Sequence, residues 1–479
     1  KISVLNGPHG SPDFFTPEDI NMFYGAKWKV HHNSNRLGVR LIGPKPKWAR
    51  QDGGEAGLHP SNIHDCEYAV GSINFMGDMP VILTCDGPSL GGFVCPATII
   101  QADMWKLGQL AAGDTIEFVE VSSKEASLQR KYHQDYLNSL THQNKEIQRH
   151  TGDVSRDCVL YKKESCLKTP QVLYRRAGES NILLEYGDMV LDLKLRFRVE
   201  ALRLYLEENP IRGLVEASPG VRSLQLQYNP DVISESSLLD KLLDAEDHLM
   251  PVEEMILPSR VIHLPFSFND KWSRYAVKKY KESVKSKAPY LPDNCEFIAR
   301  INGLDTTEQV RSTVLAAEYL VLGLGDVYLG APCAVPLDPR HRLVSSKYNP
   351  ARTYTPEGAV GIGGSYLCIY GMDSPGGDQL VGRTLPIWNT FSQPGESKHL
   401  LKFFDRISFY PVSDDVLEHE RSLYRSRKLT VKCENKDFVV KDYLDFCESI
   451  SGEVASFKKK QAAAFSKEVE RWKSSGMIG

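Results

Sequence analysis

The run 336–384, PLDPRHRLVSSKYNPARTYTPEGAVGIGGSYLCIYGMDSPGGDQLVGRT, gathers more groups able to do chemistry than a scaffold requires. Arg340, Arg342, Lys347 and Arg352 fall at turns set by Pro339, Pro350 and Pro356, with the carboxylate of Asp338 beside them. Cations around a carboxylate suit a pocket for a small polar or anionic substrate. Gly363-Gly364 and Ser374-Pro375-Gly376-Gly377 frame an apolar run that reads as a buried strand. Glycines there permit φ > 0 and close backbone approach, and exposed amides in such turns hold carboxylates or oxyanions. The same residues would also serve as barrel corners and structural ion pairs, and both readings stay open at this level.

An echo of this run occurs near the N-terminus. Ala69-Val70-Gly71, a β run and then Asp86-Gly87-Pro88-Ser89-Leu90-Gly91-Gly92 parallel Ala359-Val360-Gly361, a β run and then Asp373-Ser374-Pro375-Gly376-Gly377. Two related β-barrels would produce it; so would chance likeness between glycine-rich hairpins.

Other chemistries find no support. Gly323-Leu324-Gly325 has Tyr328 where a dinucleotide fingerprint needs glycine, and no G-x-x-x-x-G-K-[ST] occurs. The ten cysteines include no C-x-x-C, so they read as reduced, mostly core thiols; Cys85 and Cys368, in apolar runs, are expected to be buried and inert. His31-His32 lacks a metal-binding context, and no metal site is expected. A net charge of -3 gives no electrostatic reason to expect nucleic acid. With no 18-residue apolar run and no signal pattern, a cytoplasmic protein away from the membrane is expected.

The elements that must position these residues read as follows. Residues 1 to about 122 are β- and turn-rich, with strands at 28–31 and 39–42. The stretch 123–170 turns polar and free of Gly and Pro over its first part, a helical linker. From 171, strands alternate with a helix at about 196–208, ended by Asn209-Pro210, and a helix opened by Ser236, a small α+β sandwich. Helices follow at about 271–285 and 305–319. After 413, LTVKCENKDFVV reads as a hairpin and the rest as a long helical connector.

The segment GLGDVYLGAPCAVPLDPRHRLVSSKYNPARTYTPEGAVGIGGSYLCIYGMDSPGGDQLVGRT closely resembles the carboxyltransferase region of the urea carboxylase family, found alone or fused in urea amidolyase. It is more distantly similar to the KipI family, which carries Pro-Gly-Phe-x-Tyr-Leu where this chain has Gly325-Asp326-Val327-Tyr328-Leu329. Gly7-Pro8-His9, SNRLGVRL, HPSNIHD and DGPSLGGFV resemble the C-terminal part of the KipA family. The resemblance implies a mainly β fold with α+β parts. It comprises a KipA-like cyclophilin-like barrel at 1–122, the linker at 123–170, a ferredoxin-like α/β unit at 171–257, a KipI-like cyclophilin-like barrel at 258–415, and a hairpin and helical connector at 416–479. It also implies that the KipA-like unit begins upstream of Lys1. No methionine is followed by lysine, so the biotin-attachment motif is absent, as is the ATP-using biotin carboxylase region.

By that resemblance the activity is transfer of a carboxyl group from carboxybiotin to urea, giving allophanate in urea degradation and nitrogen metabolism. Biotin would be carried by a separate carrier domain and charged with ATP by a biotin carboxylase domain. Urea needs donors at its oxygen and acceptors at its NH2 groups. Asn62 and Asp338 are the expected acceptors and Arg340 a donor in substrate binding. Asp86, Lys347 and Arg352 are the expected catalytic groups, Asp86 being equally suited to cap its turn. Gly363, Gly364, Ser374, Gly376 and Gly377 would seat the biotin ring or an oxyanion, and the gap between the two halves is the expected cleft. Arg352→Ala is expected to lower transfer by orders of magnitude with folding intact. Two other classes fit the resemblance: a KipI/KipA-type inhibitor of histidine kinases, which needs no chemistry, and a 5-oxoprolinase subunit, which needs an ATP-handling partner.

Overall fold

The computed structural model describes residues 1–140, 156, 158–166, 169–326, 328–389, 392, 395 and 397–477. Two compact units contain them, Lys1–Gly54 with His59–Leu249, and Glu55–Leu58 with Met250–Gly479.

The first unit opens with β1 (Ile2–Asn6), α1 (Pro17–Gly25), β2 (Trp28–Val30), β3 (Val39–Ile42), β4 (Asn62–Glu67), β5 (Ser72–Met76), β6 (Met79–Ile82), β7 (Leu90–Phe93), β8 (Ala97–Ile99), β9 (Thr115–Ile116), β10 (Phe118–Glu120) and α2 (Ser123–Ser139). Eight strands pair in the order β10-β1-β8-β5-β6-β3-β2-β9, while β4 and β7 form a separate ribbon. Because β9 and β10 are one nearly continuous segment lying on both outer strands, the sheet closes into a barrel. Closure removes the edges at which an open sheet would recruit another chain. Inside it Val4, Phe23, Trp28, Ile73, Phe75 and Ile82 make the apolar core. Helix α1 starts at a reciprocal cap, with Thr16 Oγ1 accepting from the Asp19 amide and Asp19 Oδ2 from the Thr16 amide.

The unit continues with β11 (Val159–Lys163), β12 (Val172–Arg176), β13 (Asn181–Tyr186), α3 (Leu193–Glu208), β14 (Leu214–Pro219), β15 (Ser223–Tyr228) and α4 (Glu235–Glu246). The sheet order is β11-β12-β13-β15-β14, antiparallel throughout. Strands β13 and β14 joined through α3, with β15 between them, form the split β-α-β of the ferredoxin-like fold. The hairpin partner β12 occupies the place beside β13. Strand β11 lies within the stretch expected to be helical; residues 141–155 of that stretch lie outside the described residues. The alternating sequence 190–199, which mimics a strand, is helical from Leu193. Asp192 caps it by accepting from the Lys194 amide at 2.9 Å. Both of its faces are buried, and the charges of Arg196 and Arg198 are met by Glu200 and Glu246. Alternation therefore did not mark one solvated face here.

The second unit contains β16 (Ile256–Leu257), β17 (Arg260–Phe268), α5 (Lys271–Ser283), α6 (Asn294–Ile301), α7 (Thr307–Ala316), β18 (Glu318–Leu324), β19 (Pro332–Pro336), β20 (Arg352–Thr355), β21 (Ala359–Gly363), β22 (Tyr366–Ile369), β23 (Ser374–Gly376), β24 (Gln379–Arg383), β25 (Arg406–Pro411), α8 (Asp414–Arg425), β26 (Lys432–Asn435), β27 (Phe438–Val439), α9 (Val440–Ser449) and α10 (Ser451–Ser474). The order β24-β21-β22-β19-β18-β25-β17 is closed by pairing of β17 with β24. This ring repeats that of the first barrel strand for strand, including the parallel pairs β1–β10 and β17–β25 and the detached ribbons β4–β7 and β20–β23. The sequence echo is thus a repeat of topology. The expected 429–440 hairpin does not form: β26 pairs with β17 and β27 with β16, extending consecutive strands. An alternating run fixes which face is buried but not which strand it joins. The expected connector α10 is packed on its unit, where Trp472 is buried 5.6 Å from the Phe297 ring.

Candidate functional site

In the second unit the ribbon β20–β23 pairs Arg352 with Gly376 and Thr355 with Ser374. Arg352 is fully buried at the start of β20. Its Nε and Nη2 donate to Thr355 Oγ1, both at 3.2 Å, Nη2 also reaches Tyr370 Oη at 3.4 Å, and Nη1 donates to the Asp378 carbonyl. The guanidinium lies 4.4 Å from the Tyr348 ring centroid, a cation–π contact that a desolvated site strengthens. Tyr370 Oη donates to Asp378 Oδ2 at 3.1 Å, so one phenol links the cation to the carboxylate. Burial, with the Asp378 charge behind it, pushes the Tyr370 phenol well up, and burial raises Tyr348. Both stay protonated and act as donors.

Glycine makes this packing possible. A Cβ on Gly363 would lie 2.0 Å from Asp378 Oδ1 and 3.2 Å from Lys347 Cε, so the carboxylate and the lysine stem meet over a bare backbone. A Cβ on Gly376 would lie 2.3 Å from Tyr370 Oη. Gly364 has φ +61 in the two-residue turn between β21 and β22, a conformation that hairpin turns demand. Its amide donates to the Ser345 carbonyl at 3.0 Å and is therefore not free for an oxyanion. The Ala56 carbonyl abuts Gly364 and the Glu55 carbonyl accepts from Ser365 Oγ at 3.1 Å, so the remote segment Glu55–Leu58 seals this turn. A Cβ on Gly377 would meet only Lys347 Cβ, at 3.7 Å, and the Gly377 carbonyl accepts from the Tyr348 amide at 2.6 Å. Ser374 Oγ is buried without a hydrogen-bond partner among the described residues, a polar group that a ligand would satisfy.

Donor atoms of Asp326, Cys368 and Asp378 lie within 4.8 Å of one another. Burial and the two carboxylates drive the Cys368 thiol far up.

The remaining expected residues lie elsewhere. Asp338 caps the Pro339–His341 turn and holds Arg340 through contacts of 2.6–3.1 Å, while Arg340 also pairs with Glu453 on α10. The two satisfy each other, the structural alternative left open by the sequence. In the first unit Asp86 is exposed and 3.6 Å from Arg36, at the rim of a cavity of about 450 Å³ with Val30, Val39 and Leu107 in its wall. The neighbouring Cys85 is exposed, contrary to the expectation of burial, because the chain turns outward after β6. Asn62, at the start of β4, is buried with Oδ1 unpartnered among the described residues, and its carbonyl accepts from Arg50. It starts the ribbon strand equivalent to the one that Arg352 starts. The first unit also buries ionisable groups. Burial alone would raise Glu185, yet Arg222 and Arg175 overcome that and hold it at about 2. His9, whose Nδ1 accepts from the Cys95 amide at 3.1 Å, is pushed by burial down to about 3.

Asp378, Tyr370, Tyr348 and Thr355 are the site residues that the sequence reading passed over. Asp378 follows Gly376-Gly377 directly, and that adjacency was the available signal.

The family described as carboxyltransferase domain, subdomain A and B, matches residues 1–120, and that described as carboxyltransferase domain, subdomain C and D, matches 172–397. The chain belongs to the carboxyltransferase domain family. Subdomains A and B thus coincide with the first barrel, and C and D run from the α+β sheet into the second barrel, ending before β25. This carboxyltransferase chain is 48% identical to a urea amidolyase of Lachancea kluyveri over 98% of its own length and 26% of the relative's. It is 45% identical to the urea amidolyase of Saccharomyces cerevisiae over 96% of this chain and 25% of that one. The crystal structure of the Kluyveromyces lactis urea carboxylase superposes with a TM-score of 0.92 at 42% identity, covering 98% of this chain and 42% of that one. The chain spans about a quarter of the length of these urea amidolyases. The fold, mainly β with α+β parts and two cyclophilin-like barrels, is shared with that urea carboxylase structure.

Proposed function

We propose that this chain is the carboxyltransferase component of a biotin-dependent urea carboxylase, forming allophanate from urea. The observation that carries the reading is the buried Arg352–Tyr370–Asp378 constellation beside Lys347, in a domain similar over nearly its whole length to a urea carboxylase. Asp378 and Arg352 are this reading's principal groups. Lys347, Ser374 and the surfaces of Gly363, Gly376 and Gly377 line the place where the reacting groups meet, while Gly364 shapes the sealed turn beside them. In the first unit Asn62, whose Oδ1 is unpartnered among the described residues, is a separate candidate acceptor, and Asp86, Asp338 and Arg340 hold peripheral roles.

The fit to a carboxylated ureido ring rests on donors and one acceptor on a glycine-lined surface, with the orphan Ser374 hydroxyl ready to bond a polar group. When bound, carboxybiotin supplies an activated carboxyl group together with a nitrogen able to take up a proton. A urea nitrogen is a poor nucleophile because its lone pair is delocalised into the carbonyl, so this chain must orient it and receive its proton. Asp378 Oδ1, the oxygen that faces Gly363, accepts from the urea NH2 and takes that proton. Tyr370 keeps Asp378 in place through Oδ2. Arg352, permanently charged, and Lys347 offset the negative charge that develops on the moving carboxyl group, an effect magnified where water is excluded. A biotin carboxyl carrier domain, and a biotin carboxylase domain that uses ATP, would occupy parts of the longer relatives outside this match. Among the described residues no helix is long and apolar enough to cross a membrane, and we place the enzyme in the cytoplasm.

The test is the reverse reaction in the full-length enzyme: allophanate and biotinylated carrier are supplied and urea is measured. Biotin-dependent urea release supports the reading. Its absence, in folded protein that docks its carrier, would move the assignment to the binding-module class, for which the buried Arg352 and Asp378 give no reason.

A further inference from the structure

Between α5 and the start of α6, in the second unit, lies a cavity of about 220 Å³ whose wall includes Arg274, Lys278, Lys281, Asn294 and Leu380. The cationic charge here is weakly compensated. Arg274 is 3.9 Å from Asp414 and Lys278 is 3.9 Å from Glu282, distances at which exposed pairs contribute little, and Lys281 has no ion-pair partner among the described residues. The one carboxylate in the wall, Asp293, is committed elsewhere. Its Oδ1 accepts from the amides of Cys295 and Glu296, and its Oδ2 from Asn269 Nδ2 at 3.3 Å. The amides that begin α6 are therefore occupied, and the attraction for an anion comes from the three side chains.

The inner wall is tied to the candidate site. Asn294 is buried and uses its whole amide: Oδ1 accepts from the Leu380 amide at 2.9 Å and from Tyr348 Oη at 3.0 Å, and Nδ2 donates to the Tyr290 carbonyl at 3.0 Å. Tyr348 is the ring that Arg352 faces, and Leu380 stands two residues after Asp378. A ligand pressing on Asn294 thus bears on both walls of the Arg352–Asp378 pair.

We propose that this cavity is a regulatory site for a compact oxyanion of the phosphate class, coupled to Arg352 and Asp378 through Asn294 and Tyr348. The volume is below the roughly 300 Å³ at which drug-sized pockets begin, which selects a free oxyanion over a nucleotide. The proposal concerns binding and coupling, and the constellation it reaches is the one assigned to carboxyl transfer above. An enzyme that charges its carrier with ATP would release phosphate, so the ligand would report flux through the preceding carboxylation.

The test uses the full-length enzyme and inorganic phosphate. Calorimetry at low ionic strength is expected to show saturable binding. In the Lys278→Glu/Lys281→Glu variant binding should weaken about tenfold or more at unchanged thermal midpoint, because two charge-assisted hydrogen bonds to the anion become repulsions. Hydrogen exchange of the peptide containing Leu380 is expected to slow on saturation with phosphate and not in Asn294→Ala. Neither readout needs turnover, so either can fail while carboxyl transfer stands, and either can succeed if transfer is absent. No saturable heat, equal binding by the double variant, tighter binding of AMP than of phosphate, or exchange indifferent to bound phosphate would each overturn the proposal.

Discussion

Gly363→Ala is the sharpest probe of how the site is held. The new methyl group would sit 2.0 Å from Asp378 Oδ1 and 3.0 Å from Cγ, and ordinary contact begins at 3.4 Å. The carboxylate must move by about 1.4 Å, or the β21–β22 hairpin must retreat by as much. Swinging the carboxylate away breaks its 3.1 Å bond from Tyr370, and retreat of the hairpin strains the Gly364–Ser345 bridge. Overpacking of this kind costs about 1–3 kcal/mol of stability. Since a misplacement of about 1 Å is able to lower turnover about 10²-fold, that loss, about 2.7 kcal/mol in barrier height, is expected in carboxyl transfer. Gly452→Ala, on α10, is the control, because an added Cβ there meets nothing within 4 Å and the methyl fits. Both variants would be assayed as biotin-dependent allophanate formation in full-length enzyme, with thermal midpoints measured alongside. A folded Gly363→Ala enzyme with undiminished transfer would show that the position of Asp378 does not matter and would remove it from the mechanism.

Arg352→Ala is expected to abolish transfer and also to lose about 3–5 kcal/mol of stability, measured by denaturant titration, because its removal strands a buried network. This revises the expectation that folding stays intact; Arg352→Lys, which keeps the charge but loses the forked geometry, should fold better and still be impaired. Arg340→Ala should leave transfer and thermal midpoint nearly unchanged, since that side chain faces solvent and pairs with its own turn; a large fall in turnover would return it to the site. The first unit should lose stability in acid. His9, neutral when folded down to about pH 3 but protonated near 6.5 when unfolded, makes stability fall with pH between those values, by up to about 1.4 kcal/mol per unit. The Glu185 contribution, fully present above 4.5, is lost toward about pH 2. Urea denaturation of wild type and His9→Gln across pH 4.5–7 checks this, and an equal slope in both would refute it.

Much of the scaffold is written locally. Asp192, Ser234 and Thr306 cap helices wherever they fall, and the Gly364-Ser365 turn folds its hairpin from two residues. The pocket-forming character of 336–384 was also legible, because proline and glycine state backbone geometry directly, and the long motif carried the family. What tertiary structure decided was pairing and burial. Lys347, Arg352 and Arg340 look alike in the sequence, yet Arg352 is fully buried, Lys347 lies along Gly363, and Arg340 is spent on its neighbour Asp338. Asp378 reads as one more turn acid until the fold brings its carboxylate over Gly363, and Glu55–Leu58 reads as a loop of the first unit although it seals a turn of the second. The reason is range. Caps and turns are settled within about five residues, whereas the environment of a charge is set by strands brought together by barrel closure, which no local pattern encodes.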